Sequence, residues 1–379
     1  METLRNIQNE NLLGARNKAT AGNLLRKPLR GVGNEVRNIP VKGSFREKAT
    51  KTKDCGKEKL VPVKSVRTRS ESKKGVFQDV EELKKSLPVI DSHSTKQLPP
   101  GVENIDVDDV ENPLLVSIYI NDIYCYLRNL EVIYPIRKHH LQLQPEVTGK
   151  MRSILIDWLI QVHFKFNLLQ ETLYMAVSIL DRYLQSEKVK RSELQLVGVT
   201  SMFIASKYEE MYAPEVSDFV YITDNTYTKQ EILRMERVML KSLKFDLSKP
   251  LPLHFLRRNS KAGNVDATVH TLAKYLMEVV LTEYDCAHYR PSMLAAAALY
   301  LARKLLTESS SWNDTLKFYS NYSEEDFMPI VKNLCKIILK AGASKLKAVH
   351  TKYAGSKFFK ISCIPQLKSS IVVELAASN

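Results

Sequence analysis

Two side chains in this sequence are expected to form an ion pair: an arginine and an aspartate, each inside an apolar segment. Arg152 lies in residues 151–158, MRSILIDW, which would be apolar on almost every face of a helix. An unpaired guanidinium in such surroundings costs several kcal/mol, so Arg152 requires a carboxylate partner. Asp181, the acid within the apolar run of residues 171–184, is the predicted partner. We interpret this ion pair as structural.

The same segment offers an apolar stripe that could bind a partner. Four of its side chains recur at helical spacing and share one face: Met151, Ile154, Leu155 and Trp158. A second stripe starts at Ile156 and points elsewhere, and packing into a core requires only one face. The first stripe is therefore a candidate docking surface, and the alternative is a helix buried all round.

A cluster of cationic donors further along the chain could bind a phosphate group. His270 and Lys274 are four residues apart and share a helical face, and Arg257 precedes that helix. Three convergent donors suit the oxygens of a phosphate. A surface charge cluster without a ligand is the alternative interpretation.

Signatures of catalysis and of metal binding are missing from the sequence. It contains neither a P-loop nor a His-Glu-x-x-His motif, and Gly31-x-Gly33 lacks a third glycine. The five cysteines are scattered, with no Cys-x-x-Cys pair and no histidine at metal-ligand spacing. We expect a non-catalytic protein with reduced thiols, no metal and no cofactor. Because no signal peptide and no apolar run of about 18 residues are found, we expect neither secretion nor a membrane span.

Charge and aromatic residues divide the chain near residue 100. All 17 Tyr and both Trp lie after that point. Residues 1–100 contain 22 Lys and Arg against 11 Asp and Glu, which accounts for +11 of the formal net charge of +14. A segment so poor in apolar residues cannot offset its ordering entropy, so residues 1–105 are predicted to be a disordered basic tail. Since the positive charge belongs to the tail and the folded part is close to neutral, nucleic-acid binding is disfavoured.

After the tail the sequence has helical periodicity and no convincing β alternation, so the predicted class is all-α. Helices are expected near 113–130, 150–166, 171–185, 192–210, 228–243, 266–283, 292–306, 313–320, 324–340 and 345–353. The prolines of residues 247–252 disfavour a continuing helix and separate two groups of about five helices, with predicted domains at 106–248 and 249–379. Capping boxes are predicted at Ser192 and Thr228.

Several motifs, in the order of one known family, carry a resemblance. Residues 151–155, MRSIL, resemble the core of the cyclin box, and the likeness continues through LLQETLY at 168–174, ASKYEEM at 205–211 and TDNTYT at 223–228. The link at 250–258, PLPLHFLRR, resembles that of the G2/mitotic B-type cyclins in particular. The resemblance implies two tandem five-helix cyclin folds. It also implies a regulatory subunit that binds and activates the mitotic cyclin-dependent serine/threonine kinase at the G2/M transition.

The resemblance assigns roles to individual residues of this chain. Lys207 and Glu236 would hydrogen-bond the mobile αC helix of the kinase, and apolar contacts would come from Tyr119, Phe245 and Leu247. Without the resemblance, a single lysine or glutamate on a helix is interpreted as a solvated surface charge.

The resemblance also covers the two candidate binding surfaces. The apolar stripe corresponds to the site at which cyclins receive Arg-x-Leu peptides of kinase substrates, with Gln195 as a polar contact. Gln161 stands where some other cyclins carry an acid, so the preference for the peptide's arginine is expected to be weak. Arg257, His270 and Lys274 correspond to the cluster with which B-type cyclins hold a phosphorylated residue.

The tail carries two candidate signals. Residues 26–34, RKPLRGVGN, resemble a destruction box, which is read through Arg26, Leu29, Val32, Gly33 and Asn34. Six lysines between residues 42 and 59 would accept ubiquitin from the anaphase-promoting ubiquitin ligase at mitotic exit. The spacing of residues 80–89 is typical of a nuclear-export peptide, although any short amphipathic turn can show it. We expect a protein of cytoplasm and nucleus, cytoplasmic before mitosis, with the centrosome or spindle as a further location.

A transcription-factor module is the alternative from another functional class, because general initiation factors also hold DNA with paired cyclin folds. Such a module needs a zinc ribbon of paired Cys-x-x-Cys and a basic folded face. The sequence offers neither, so we prefer the kinase regulator.

Overall fold

The described part of the chain is helical throughout. The computed structural model describes residues 98–307 and 311–378, and within these ranges it contains no β-strand. The first group of helices there comprises α1 (Ile120–Ile133), α2 (Gly149–Lys165), α3 (Gln170–Ser186), α4 (Leu194–Glu209), α5 (Val216–Ile222) and α6 (Lys229–Ser242). The second comprises α7 (Pro252–Ala262), α8 (Ala267–Val279), α9 (Pro291–Leu306), α10 (Asp314–Ser320), α11 (Glu324–Ala341), α12 (Ala348–Tyr353) and α13 (Ser370–Ala377).

Each group is built around a helix with small side chains at its contacts. In the first, α4 packs along α3, and Gly198 lets the Leu155 side chain of α2 lie against the α4 backbone. A Cβ at this glycine would come within 2.7 Å of a Leu155 methyl group. In the second, α9 contacts α7, α8 and α11, and its alanines at 295–298 are completely buried. Small side chains bring helix axes close together, so α4 and α9 form the centres of the two cores.

Helix α2 contacts both groups. Three of its polar side chains bind main-chain atoms of the second group. These bonds join Arg152 to the Leu281 carbonyl, Ser153 to the Thr282 carbonyl and Asp157 to the Ala348 N–H. Because α2 is covered from two sides, its sequence is apolar almost all round.

Three helices, α5, α7 and α13, are not predicted from the sequence. Helix α7 begins at Pro252, which occupies the first helical position, where the missing N–H costs no hydrogen bond. The prolines of the link therefore start a helix as well as ending the previous group. The start of the predicted helix at 113–130 was wrong: α1 begins at Ile120, after two 3₁₀ turns separated by Val116, whose φ is 52°.

The two predicted capping boxes have different outcomes. The Thr228 box is confirmed, because Thr228 and Glu231 each accept the other's backbone N–H. The Ser192 box was wrong. Residues Arg191–Glu193 form a 3₁₀ turn, and α4 begins one residue later without a side-chain cap.

Residues 98–105, which the prediction assigns to the tail, lie within the described part and contact the second group. The Glu103 N–H donates to the Thr315 hydroxyl at 3.1 Å. Just beyond, the Asp106 carboxylate accepts from Arg258 of α7, with 2.6 Å between Nη2 and Oδ2. Hydrogen bonds and an ion pair, more than apolar burial, hold this segment. Residues 1–97, including the candidate destruction box and export peptide, lie outside the described residues.

Candidate functional site

Arg152 and Asp181 meet between α2 and α3. Nε and Nη2 of Arg152 donate to the two carboxylate oxygens of Asp181 at 2.6 and 2.7 Å. Both side chains are buried. Burial alone would raise the pKa of the Asp181 carboxyl, but the charge and hydrogen bonds of the guanidinium outweigh it and hold that pKa well below its usual range. The contact predicted from the sequence is therefore present, and it ties two helices of the first core together.

Lys207 and Glu236 meet at the surface, one on α4 and the other on α6. The Lys207 ammonium binds Oε1 of Glu236, although the two residues are 29 positions apart in the sequence. The Lys207 side chain is 45% exposed and that of Glu236 is 10% exposed. The ammonium also lies 4.3 Å from the ring centroid of Phe203. The glutamate and the ring fix the lysine, and the lysine presents its remaining N–H donors to the solvent.

Exposed apolar side chains occur on both sides of this pair in the sequence. Phe245, which follows α6, is 71% exposed, Tyr119 is also exposed, and Leu247 is half-buried. Met211 and Tyr212, in the segment after Lys207, are 87 and 89% exposed. Neither of these two was predicted from the sequence to be a contact. Two large apolar residues directly after a helix end, beside a candidate contact, are the signal that could have revealed them.

The apolar stripe of α2 is only partly open. Met151, Ile154 and Gln195 are half-buried, whereas Leu155 and Trp158 are 1 and 5% exposed. The stripe is therefore neither an open face nor a helix buried all round. Its accessible part is narrower than the sequence predicts, because α4 covers Leu155 where it carries Gly198.

The structure brings together the three donor residues of the candidate phosphate cluster, Arg257, His270 and Lys274. Burial and the nearby charges of Lys274 and Arg257 lower the pKa of His270 to about 4, so its imidazole is neutral at pH 7. The His270 Nδ1 lies 2.8 Å from the Ser260 hydroxyl. The Arg257 guanidinium binds the carboxylate of Glu171 on α3. A phosphate would therefore meet an arginine that already has an anionic partner.

Metal-binding clusters and membrane-spanning helices are not found in the described part of the chain. Within 98–307 and 311–378, no group of three or more His, Cys, Asp or Glu side chains could hold a metal ion. Nor is any helix in that part of the chain both long and apolar enough to cross a membrane. The four cysteines in the same ranges are free thiols.

Family models match both groups of helices. The cyclin N-terminal domain matches residues 122–248, and the cyclin C-terminal domain matches residues 250–367. The G2/mitotic-specific cyclin-B of Arbacia punctulata is 47% identical over 396 aligned residues, which cover 100% of this chain and 96% of the relative. This chain belongs to the G2/mitotic B-type cyclins. The predicted all-α class with two tandem cyclin folds is confirmed, and the two family models meet at the link between α6 and α7.

Other relatives resemble this cyclin over its folded part. The cyclin-B of Spisula solidissima is 63% identical over 279 residues, which are 74% of this cyclin and 65% of the relative. The cyclin-B2 of Bos taurus is 52% identical over 278 residues, 73% of this cyclin and 69% of the relative. The cyclin spans just under two thirds of the Spisula protein.

A solved structure shares the fold. The X-ray structure of a viral cyclin from herpesvirus saimiri superposes with a TM-score of 0.53 at 23% sequence identity, covering 59% of this cyclin and 97% of the viral chain. At this identity the likeness concerns the fold alone. The likeness to the viral chain therefore carries no information about the roles of Lys207 and Glu236.

Proposed function

We propose that this cyclin binds and activates a mitotic cyclin-dependent serine/threonine kinase and thereby controls the G2/M transition. The observation that carries the proposal is the Lys207–Glu236 pair, in which a fixed lysine is presented at the surface between two helices. By family resemblance, the two side chains hydrogen-bond the αC helix of the kinase. The cyclin has no catalytic step of its own in this scheme.

Activation is then a shift in the conformational equilibrium of the partner. An inactive kinase holds its αC glutamate away from the β3 lysine. A surface that binds only the rotated-in αC helix converts binding energy into a population of the active state. Because α4 and α6 already hold Lys207 and Glu236 in place, little side-chain entropy is lost on binding. Exposed apolar groups such as Phe245 and Tyr119 supply area for the rest of the interface.

Co-purification from cell extract tests the proposal. The tagged full chain, used as bait in interphase and mitotic extracts, is expected to bring down a serine/threonine kinase and to yield high histone-kinase activity in the mitotic sample. Lys188→Ala, at an exposed site of the first fold away from the pair in the sequence, serves as a control bait. Recovery of the chain at both stages without kinase activity would contradict the proposal.

We further propose that the cyclin helps to select substrates, through the accessible part of the α2 stripe and through the phosphate cluster. Glu171→Gln is expected to tighten binding of a phosphorylated substrate peptide about two- to fivefold, because it releases the Arg257 guanidinium from an anionic competitor. His270, neutral at pH 7, contributes an N–H donor and no charge. Fluorescence anisotropy with matched phosphorylated and unphosphorylated peptides measures the effect, with Glu193→Gln as control. Equal affinity for the two peptides would exclude the phosphate site.

We propose, finally, that the cyclin is destroyed by ubiquitin-dependent proteolysis at mitotic exit through the candidate destruction box at residues 26–34. Arg26→Ala/Leu29→Ala is expected to prolong the half-life of the chain in extract leaving mitosis, because it removes the two defining side chains of the motif. Arg5→Ala is the control, and an unchanged half-life would refute this step. Residence in the cytoplasm before mitosis and entry into the nucleus as mitosis begins are part of the same proposal, and imaging of a fluorescent fusion through one cell cycle tests them.

A further inference from the structure

The second fold carries a long segment with charge of only one sign. Between Asp326 and Glu374 the chain contains nine lysines and no aspartate, glutamate or arginine. Seven of these lysines are exposed: Lys336, Lys340, Lys345, Lys347, Lys357, Lys360 and Lys368. The kinase-binding pair, the α2 stripe and the phosphate cluster use none of them. A positive region of this kind attracts anionic partners.

Three of the exposed lysines gather where α11 ends. Lys336 and Lys340 are one turn apart on α11 and share a face, and Lys345 follows in the next turn. Lys347 is committed to the fold, because its ammonium binds the carbonyls of Ala341 and Gly342 at 3.0 and 2.8 Å and satisfies the helix end. Within the described part of the chain, the side chains of Lys336, Lys340 and Lys345 have no hydrogen bond or ion pair. Their charges are available to a ligand.

A cavity of about 270 Å³ opens beside these lysines. Lys340 lies in its wall, and apolar side chains form another part of the lining: Val279, Ile337, Leu346 and Val349. A cavity of about 150 Å³ already accepts a benzene ring, so this one has room for a phenylalanine or leucine side chain. The cavity therefore combines an apolar recess with a lysine that has no partner within the protein, and a ligand that fits it needs both an apolar group and a negative charge.

Two acids also line the cavity and restrict what can enter. Asp157 is fully engaged within the protein, since its carboxylate accepts from the Ala348 N–H at 2.9 Å and from Gln161 at 3.1 Å. Burial raises the pKa of that carboxyl. Glu283, in the segment after α8, is exposed and would repel a second acid placed beside it. The site is therefore directional, positive at the end of α11 and negative at Glu283.

We propose that this cavity and Lys336, Lys340 and Lys345 form a docking site for a short acidic peptide of a partner protein, with one bulky apolar side chain in the cavity. Acidic residues of the peptide lie against the lysines, and its other end, without acids, passes Glu283. A nucleic acid or a bilayer surface offers charge but no single apolar side chain to fill the recess, so the geometry favours a peptide. The site lies apart from the kinase-binding pair in the chain and does not rest on the proposed function.

Binding of a synthetic peptide to the full chain tests this proposal. The probe is fluorescein-labelled Glu-Asp-Glu-Phe-Gly-Ser, followed by fluorescence anisotropy at low and high salt. Saturable, salt-sensitive binding is expected, about tenfold weaker for Lys336→Glu/Lys340→Glu and for the probe with glycine in place of phenylalanine. Ala343→Trp, an exposed change at the cavity wall, should block binding while leaving the lysines intact. Lys188→Glu is the matched charge control and should change nothing.

A gain of binding separates the proposal from loss by misfolding. Glu283→Lys removes the repelling acid and is expected to tighten binding of the same probe about threefold. Circular dichroism verifies that each variant keeps its helical content. Equal binding of the phenylalanine and glycine probes, or no response to Lys336→Glu/Lys340→Glu, would overturn the site. So would binding of anionic vesicles or duplex DNA, sensitive to the same lysines, by a chain that does not bind the peptide.

Discussion

Replacing Lys207 and Glu236 together by alanine is expected to lower kinase binding and activation at least about thirtyfold. Truncating hydrogen-bonded charges at the centre of an interface costs about 2–5 kcal/mol, and each 1.4 kcal/mol is a factor of about ten in affinity. The two side chains touch each other in the free cyclin, so their loss removes both the proposed contacts to the kinase and the arrangement that fixes them. Apolar neighbours such as Phe245 remain, but they do not distinguish one position of the αC helix from another.

Two readouts distinguish loss of contact from loss of fold. Histone phosphorylation and the affinity for purified kinase are measured beside the helical content and the unfolding midpoint. The single variants complete a double-mutant cycle, because Lys207→Ala leaves a largely buried glutamate without its partner whereas the double variant does not. Lys229→Ala, an exposed lysine at the start of α6, is the control. A double variant that still activates the kinase would refute the assignment.

Arg152→Leu is expected to destabilise the cyclin by about 3–5 kcal/mol at pH 7, because it leaves the Asp181 carboxylate buried and unpaired. In this variant the pH dependence of the Asp181 contribution to the free energy of unfolding changes sign. In the unmodified chain the pKa of Asp181 lies below its unfolded value of about 3.9, so the stability it contributes is present above that pH and is lost as the pH falls. In the variant burial raises the pKa of the same carboxyl, so the penalty is largest at neutral pH and shrinks as protonation removes the charge.

Urea denaturation between pH 7 and pH 5 measures the destabilisation and its pH dependence in the variant, whereas the Asp181 contribution in the unmodified chain stays constant over this range. Arg152→Leu/Asp181→Asn should recover part of the lost stability and should lack the reversed pH dependence. His140, whose Nε2 is 3.3 Å from Asp181, and the nearby Lys249 can partly compensate. Arg237→Leu, at an exposed site on α6, controls for the loss of one arginine. A destabilisation of Arg152→Leu that stays constant across this pH range would contradict the role of an uncompensated charge.

The ion pair could be predicted from the sequence because a buried arginine needs a carboxylate partner, and Asp181 is an acid placed within an apolar run. Short helices could not be predicted in the same way. Helix α5 has seven residues, of which only Phe219 is buried, so it shows no helical periodicity. Helix α13 begins at Ser370 and continues with Ile371, Val372 and Val373, whose β-branched side chains favour a strand in isolation. Packing against α11 decides its conformation.

For the candidate binding surfaces, too, the sequence predicts one part and tertiary packing decides the other. Helical spacing identifies the face that Met151, Ile154 and Leu155 share, but the absence of a side chain at Gly198, on another helix, decides which of them is covered. The positive segment of the second fold can be identified from the positions of its lysines in the sequence. The net charge of the folded part does not reveal it, because acids elsewhere balance these lysines.

Three hydrogen bonds between α2 and the second fold have an asymmetric chemistry. Arg152, Ser153 and Asp157 contribute side chains, whereas the second fold answers with carbonyl and amide groups of its main chain. Residues 281, 282 and 348 can therefore be exchanged for others without losing these bonds, provided that the path of the backbone is kept. Tolerance to substitution is therefore one-sided at these three bonds, so a hybrid with another member of the family needs to keep the α2 side chains but not the side chains that face them. Elsewhere, as at Glu171 and Arg257, both folds contribute a side chain and a hybrid has to keep the two together.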